Sequence, residues 1–255
     1  MQIAVAGNDI PGLTLALRLR IKGHDVVVHP TATPVPLHEQ FTVIAPYRDL
    51  FLKSGGGLDD LIGLVPIQES LRFAIDGRTV EIPAAGSQRA AIASAFGNEA
   101  AAAWSAMLEH AAQVWSKVRA DAYTSTSSLE QFARRQLPDQ RLRALLRGWN
   151  AVTSSPCSDA AMVFPYLTQS FGLWTFDGGL ERFESVLRTR CEERGVRFEQ
   201  TTTAAEALTT HTHFSTMFEA PSRMFRRTTP VATEALGIPF IGMAAEAIAE
   251  RIGRA

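Results

Sequence analysis

The sequence predicts an α/β fold in which a parallel sheet is joined to a smaller, mostly helical cap. Two short apolar runs near the start of the chain, Ile3–Ala6 and Val26–Val28, are typical of buried parallel strands. Between them lies a segment with apolar residues at helical spacing, and the same alternation of strand and helix returns after residue 171. A chain of 255 residues is long enough for such a domain and a cap.

The first thirty residues read as a strand–helix–strand unit. Pro11-Gly12 opens a helical run, and Gly23 stands where a helix commonly ends. In Rossmann-like FAD/NAD(P)-binding domains, this unit holds the pyrophosphate of a dinucleotide at the start of its helix. The sequence therefore predicts a Rossmann-like domain.

The glycine motif of that unit is altered. The stretch Gly7–Gly12 keeps the first and third glycines of G-x-G-x-x-G, but Asp9 replaces the middle one. A carboxylate repels a pyrophosphate, and the second strand ends on His29 instead of the acid that binds ribose hydroxyls. If a dinucleotide binds at all, the residues expected to contact it are Gly7, Asn8, Ile10 and Gly12.

Two residues of this unit are candidate catalytic groups. Asp9 stands at a helix N-terminus, where capping is the simpler interpretation and general acid–base catalysis is the alternative. His29 stands at the carboxyl end of a strand, where α/β proteins bind ligands, and an imidazole exchanges protons near neutral pH. It could also serve only to fill space.

Hydrophobic spacing and turn residues predict the rest of the chain. A hairpin is expected over Leu71–Pro83 around Asp76-Gly77, and Gly55–Gly57 reads as a helix stop or, alternatively, a phosphate cradle. Strands are predicted at Phe41–Ile44, Phe171–Phe176 and Val196–Glu199, and a further short element at Leu58–Ile62. Helices are predicted at Pro46–Lys53, Asn98–Ala120, Leu129–Gln136, Asp139–Trp149, Asp159–Gln169, Leu180–Glu193 and Phe240–Ile252. The predicted domains are 1–57 plus 175–255, Rossmann-like, and 58–174, the cap.

Composition excludes several classes of function. The net charge of −1 gives no general attraction to nucleic acid, and no apolar run reaches the roughly 18 residues that a membrane span needs. Cys157 and Cys191 lack metal-ligand spacing, and His211 with His213 lacks a third ligand, so no metal site is expected. Without a signal-peptide pattern, we expect a cytoplasmic protein.

Several stretches resemble the phytoene desaturase-like branch of the flavin-containing amine oxidase superfamily. The most specific is Pro165–Val196, with a strand, a Gly-Gly turn and a helix in the family's order. The others are Gly23–Val28, Phe41–Leu64, Asp76–Pro83 and the final helix that begins at Gly237-Ile238-Pro239. The resemblance implies FAD as cofactor and an apolar polyene, isoprenoid or polyketide-like substrate. It also implies a substrate cavity lined by Tyr166, Gln169, Phe171 and Trp174.

The chain departs from the family where flavin is held. Besides Asp9 and His29, the Gly-Gly-Arg loop expected between Pro30 and Phe41 is missing, as is a block between Leu208 and Val231. Three hypotheses follow. The first, which the family resemblance implies, is a phytoene desaturase-like, flavin-dependent oxidoreductase. The alternatives are a cofactor-independent cyclase or isomerase that kept the apolar cavity, and a non-catalytic partner of another enzyme. Association with a second copy or a partner enzyme is compatible with each.

Overall fold

The computed structural model describes residues 2–30, 37–121, 129–153, 158–199, 212–215 and 238–254. Its strands are β1 Gln2–Ala6, β2 Asp25–His29, β3 Leu64–Ile67, β4 Leu71–Ile75, β5 Arg78–Ile82, β6 Leu173–Phe176, β7 Arg197–Phe198 and β8 Thr212–Ser215. Its helices are α1 Ile10–Ile21, α2 Ala45–Lys53, α3 Arg89–Phe96, α4 Asn98–Asp121, α5 Leu129–Gln136, α6 Gln140–Thr153, α7 Ser158–Phe171, α8 Gly179–Glu193 and α9 Ile238–Ile252.

Four parallel strands form the sheet that the opening residues predict. The order is β7-β2-β1-β8, and β1 pairs with β2 from Gln2↔Asp25 to Ala6↔His29. Counted along the chain, these are the third, second, first and fourth strands of the sheet, which is the order that begins a Rossmann sheet. The mixed helix and sheet composition and the opening strand–helix–strand unit are therefore confirmed.

Helix α1 lies at the centre of this part of the molecule. Ten consecutive residues from Ile10 to Leu19 are buried, so the helix has no solvent-facing side over that length. It packs against β1 and β2, against α8 and against α9. A helix enclosed on every side needs no amphipathic pattern, which explains its nearly uniform apolar sequence.

The chain between β2 and α8 contains two small antiparallel pairs and six helices among its described residues. Strands β4 and β5 form the predicted hairpin, and Asp76 and Gly77 both have positive φ, at 49° and 73°, as the tight turn requires. Strand β3 pairs with β6, so β6 straddles the predicted boundary at residue 174. The division into 1–57 plus 175–255 and 58–174 stays a prediction.

Three local predictions are wrong. Phe41–Ile44 forms no strand: Phe41 makes a single bridge to Trp174, and the hydroxyl of Thr42 donates instead to the carbonyl of Leu167. Phe171 ends α7 and does not begin β6, because the chain turns at Gly172. Leu58–Ile62 forms turns. The sequence reading also missed β3 and α3.

Some predictions lie outside the described residues. These are Cys157, His211 and most of the segment from Leu208 to Val231. Within that segment the structure contains β8, whose pairing with β1 runs from Ile3↔Thr212 to Ala6↔Ser215. Among the helices that the structure describes, none combines the length and apolar character needed to cross a membrane.

Candidate functional site

The two retained glycines of the motif are required by the backbone itself. The N–H of Gly7, whose φ is 117°, donates to the carbonyl of His29 at 2.7 Å. A Cβ added to Gly12 would lie 2.6 Å from the carbonyl carbon of Gly7 and closer still to its oxygen. The turn from β1 into α1 can therefore form only if glycine stands at position 12, whether or not a ligand binds there.

Asp9 caps α1. Its backbone is extended, and its Oδ1 accepts a hydrogen bond from the N–H of Gly12 at 3.2 Å. The N–H of Leu13 donates to the carbonyl of Asp9 at 2.9 Å, and Pro11 has no N–H. The simpler interpretation of Asp9 as a helix cap thus agrees with its geometry, while its proposed role in proton transfer stays a prediction.

A dinucleotide does not fit this turn in the usual position. The pyrophosphate would need free N–H groups at the start of α1, and the carboxylate of Asp9 already accepts the bond from Gly12. Two negative groups at one helix terminus would also repel each other. Gly7, Asn8, Ile10 and Gly12 adopt the predicted turn, but these residues do not offer a conventional phosphate site.

His29 lies beside a carboxylate that the sequence reading missed. Its side chain is only 8% exposed, and its Nδ1 lies 4.0 Å from Oε2 of Glu199. Glu199 follows β7, and its N–H donates to the carbonyl of Val28 at 3.0 Å. His29 and Glu199 lie close together because they stand at the carboxyl ends of neighbouring parallel strands, β2 and β7. The sequence does not show that these two strands pair, so Glu199 could not be predicted as a neighbour of His29.

Helix α8 adds two more charged residues to this edge of the sheet. Arg188 donates from Nη2 to the carbonyl of Asn8 at 2.8 Å, and its guanidinium lies 5.0 Å from the ring centre of Phe198. Glu184 lies one turn earlier on α8. Burial raises the pKa of the Glu184 carboxyl above its usual value; Arg188 opposes the rise, and Asp9 and Glu181 add to it. The sequence predicted the helix, but not that this face meets the β1–α1 loop.

The predicted cavity residues lie on α7 and β6. Gln169 accepts a hydrogen bond from the N–H of Gln88 at 3.2 Å, and the indole N–H of Trp174 donates to the carbonyl of Phe171 at 2.8 Å. Phe171 is 50% exposed, and Tyr166 is partly buried against the core. The structure brings Phe171 and Trp174 together, and the cavity itself stays a prediction.

The glycine run after α2 is covered by arginines. Arg194 donates from Nε to the carbonyl of Ser54, and guanidinium nitrogens of Arg194 and Arg190 lie against Gly55 and Gly56. Cations at the C-terminus of α2 complement its dipole. The arrangement supports the helix-stop interpretation, because the chain's own arginines occupy the space beside the glycines.

Among the described residues, no group of three or more His, Cys, Asp and Glu side chains is placed to hold a metal ion. Cys191 is buried, and its Sγ donates to the carbonyl of Leu13 at 3.4 Å. Burial raises the pKa of this thiol to about 12. Cys191 therefore stays protonated at neutral pH and is a poor nucleophile.

No family model matches the chain, and no curated protein matches its sequence. Solved structures do resemble it. An oxidoreductase from Methanosarcina mazei is 14% identical with a TM-score of 0.46, and the match covers 78% of this chain and 51% of that one. A putrescine oxidase variant is 13% identical with a TM-score of 0.48, covering 78% and 51%. Cyclohexylamine oxidase from Brevibacterium oxydans is 14% identical with a TM-score of 0.43, covering 78% and 50%.

The chain spans about half the length of these solved structures. They are named as an oxidoreductase and as oxidases. The resemblance to phytoene desaturase-like proteins is not specifically shown by them.

Proposed function

We propose that the chain is a redox-independent acid–base enzyme, a cyclase or isomerase of an apolar polyene, isoprenoid or polyketide-like molecule. The observation that carries the proposal is the grouping at the carboxyl edge of the sheet. There Asp9 fills the start of α1, while His29, Glu199 and Glu184 supply groups that take or give protons. The substrate class rests on the family resemblance of the sequence.

The proposed chemistry moves protons without moving electrons to a cofactor. Glu184, whose pKa is raised by burial, is suited to donate a proton to a double bond or carbonyl of the substrate. His29 takes a proton from another substrate atom, and the neighbouring Glu199 stabilises the imidazolium that forms. The substrate gains one proton and loses one, so its mass does not change.

A second candidate is a phytoene desaturase-like oxidoreductase acting on the same class of substrate. The strand order of the parallel sheet favours it, because this order is common in dinucleotide-binding domains. Bound FAD would supply the redox chemistry of such a reaction. FAD would then have to be held by contacts other than the start of α1.

Product mass separates these candidates. The purified protein is incubated with three probes, namely retinal, geranylgeraniol and a linear triketide thioester, and products are analysed by mass spectrometry. We expect an isomeric product of unchanged mass and no flavin absorbance at about 450 nm. Loss of two hydrogen atoms together with bound flavin would instead establish the oxidoreductase. Binding of a probe without conversion would support the non-catalytic partner role.

Matched variants test the named residues. His29→Gln and Glu184→Gln should each lower the rate of the mass-neutral conversion about 100-fold or more, as loss of a general acid or base does. Glu192→Gln changes an exposed carboxyl on the same helix and should leave the rate unchanged. Full activity in both test variants would contradict the proposed assignment.

A further inference from the structure

We infer that the side chain of Asp9 occupies the place where the pyrophosphate of a dinucleotide would bind, so that this edge of the sheet excludes dinucleotides. The inference concerns which ligands can bind and goes beyond the proposed function, since it holds whether or not the bound molecule is converted. One side chain sets the exclusion, and the surrounding turn retains the geometry of a dinucleotide cradle.

Three consecutive positions at the start of α1 offer a phosphate no unused hydrogen-bond donor. Pro11 has no N–H, Gly12 donates to the side chain of Asp9, and Leu13 donates to the carbonyl of Asp9. A phosphate would have to displace the carboxylate from Gly12 to gain its bond. Because the carboxylate is attached to the chain, it competes at a high effective concentration.

The charges around the turn oppose a second anion. Glu184 lies close enough to Asp9 for the two carboxyl groups to interact electrostatically. The cation that the described structure places at this loop is Arg188, and its guanidinium is directed at the carbonyl of Asn8 and the ring of Phe198. Phosphate binding would therefore add negative charge beside one carboxylate that is already buried.

The shape of the cradle is nevertheless preserved. Gly7 and Gly12 keep the close contact between strand and helix, and the substituted position is the one where a glycine admits the ligand. Glu199, 49% exposed, follows β7, which is separated from β1 by β2. A carboxylate at this edge is suited to accept hydrogen bonds from ribose hydroxyls. Removal of the Asp9 side chain should therefore reopen the site.

Titration calorimetry with ADP, which carries the pyrophosphate and ribose of a dinucleotide, tests this inference. Asp9→Gly should bind ADP at least tenfold more tightly than the unmodified protein, and Asp9→Asn, which removes the charge but keeps a capping side chain, should fall between them. Asp59→Asn removes an exposed carboxyl elsewhere and should match the unmodified protein. Circular dichroism confirms that each variant is folded; glycine is tolerated at a helix N-cap.

Two outcomes would overturn the inference. Tight ADP binding by the unmodified protein would show that Asp9 does not exclude phosphate. Equal binding by the unmodified protein and Asp9→Gly, including no binding by either, would show that something other than Asp9 closes the site. Because no substrate is used, the result is independent of the product-mass experiment, and either proposal can fail without the other.

Discussion

Gly12 lies closer to the backbone of Gly7 than any side chain would allow. In the same motif, Asp9 carries a side chain at the position where a glycine admits a ligand. The glycines of such a motif have two roles. The outer ones allow the strand and the helix to pack closely, and the middle one allows a phosphate to approach the backbone. In this chain the outer glycines, Gly7 and Gly12, are present, whereas Asp9 stands at the middle position.

Gly12→Ala should destabilise the protein by about 3 kcal/mol or more, because the new Cβ would overlap backbone atoms that cannot rotate away. Urea denaturation followed by circular dichroism measures the free energy of unfolding. Gly63→Ala is the matched control, since its Cβ would meet only the side chain of Asp177 at 3.3 Å. The control should change stability by less than about 1 kcal/mol. Similar losses in both variants would disprove the contact.

At the scale of elements, a buried arginine joins α1 to α2. Arg18 donates from Nη1 to Asp49 at 2.6 Å and from Nη2 to the carbonyl of Pro46 at 2.7 Å. Its side chain is 5% exposed, whereas that of Asp49 is 38% exposed. Burial acts to raise the pKa of Asp49, but hydrogen bonds from Arg18 and Lys53 outweigh it and hold the pKa below its usual value.

Asp49→Asn should lower the free energy of unfolding at neutral pH by about 1–2 kcal/mol, because it removes the nearer of the two carboxylates beside Arg18 and leaves only that of Glu246, at 3.9 Å. The loss is smaller than for a fully buried pair, since water screens the exposed carboxylate. A lowered pKa stabilises the fold above the unfolded-state pKa. The difference between the two proteins should therefore fade as the pH falls below 3.8, the usual value for Asp.

Asp59→Asn serves as the control on the same side of the molecule. Asp59 pairs with Arg48 of α2 at 2.9 Å, but both side chains are more than half exposed. An exposed pair contributes at most about 0.5–1 kcal/mol. If the two substitutions cost the same at neutral pH, the buried arginine does not depend on Asp49.

At the scale of the whole molecule, the last helix closes over the first. Helix α9 packs against α1, and the ring of His24 contacts the carbonyl of Gly253 at 3.0 Å. Lys22 and Glu250 form an ion pair across the same contact. The large apolar side chains that α9 buries are Ile238, Phe240, Ile241, Met243 and Ile248.

A chain ending at residue 237 should therefore fail to fold. Each of the five large side chains contributes roughly 1.5–3 kcal/mol on burial, and their sum is comparable to the whole stability of a typical domain, about 5–15 kcal/mol. A chain ending at residue 254 is the control and should melt like the full protein. Thermal melts followed by circular dichroism distinguish them; a cooperative transition in the shorter chain would contradict this account.

Local sequence determined much of the secondary structure. The opening strand–helix–strand unit, the hairpin at Asp76-Gly77 and helix α8 follow from periodicity and turn residues, which act over a few neighbouring positions. The cap at Asp9 was also readable, because a helix N-terminus depends on the three residues that follow it. The prediction of a strand at Phe41–Ile44 was wrong, because strand formation depends on pairing with residues distant in sequence and not on the local pattern alone.

The grouping of charged residues was decided only by the tertiary structure. His29 and Glu199 meet because β7 pairs with β2, and Arg188 reaches Asn8 because α8 packs on α1. The paired positions are more than 160 residues apart in sequence, so neither contact leaves a local signal. The sequence by itself determined the strand–helix turn and the change at Asp9. Only the tertiary structure determined which charged side chains lie together at the carboxyl edge of the sheet, because the packing of strands and helices distant in sequence sets the direction in which each helix face and strand end is oriented.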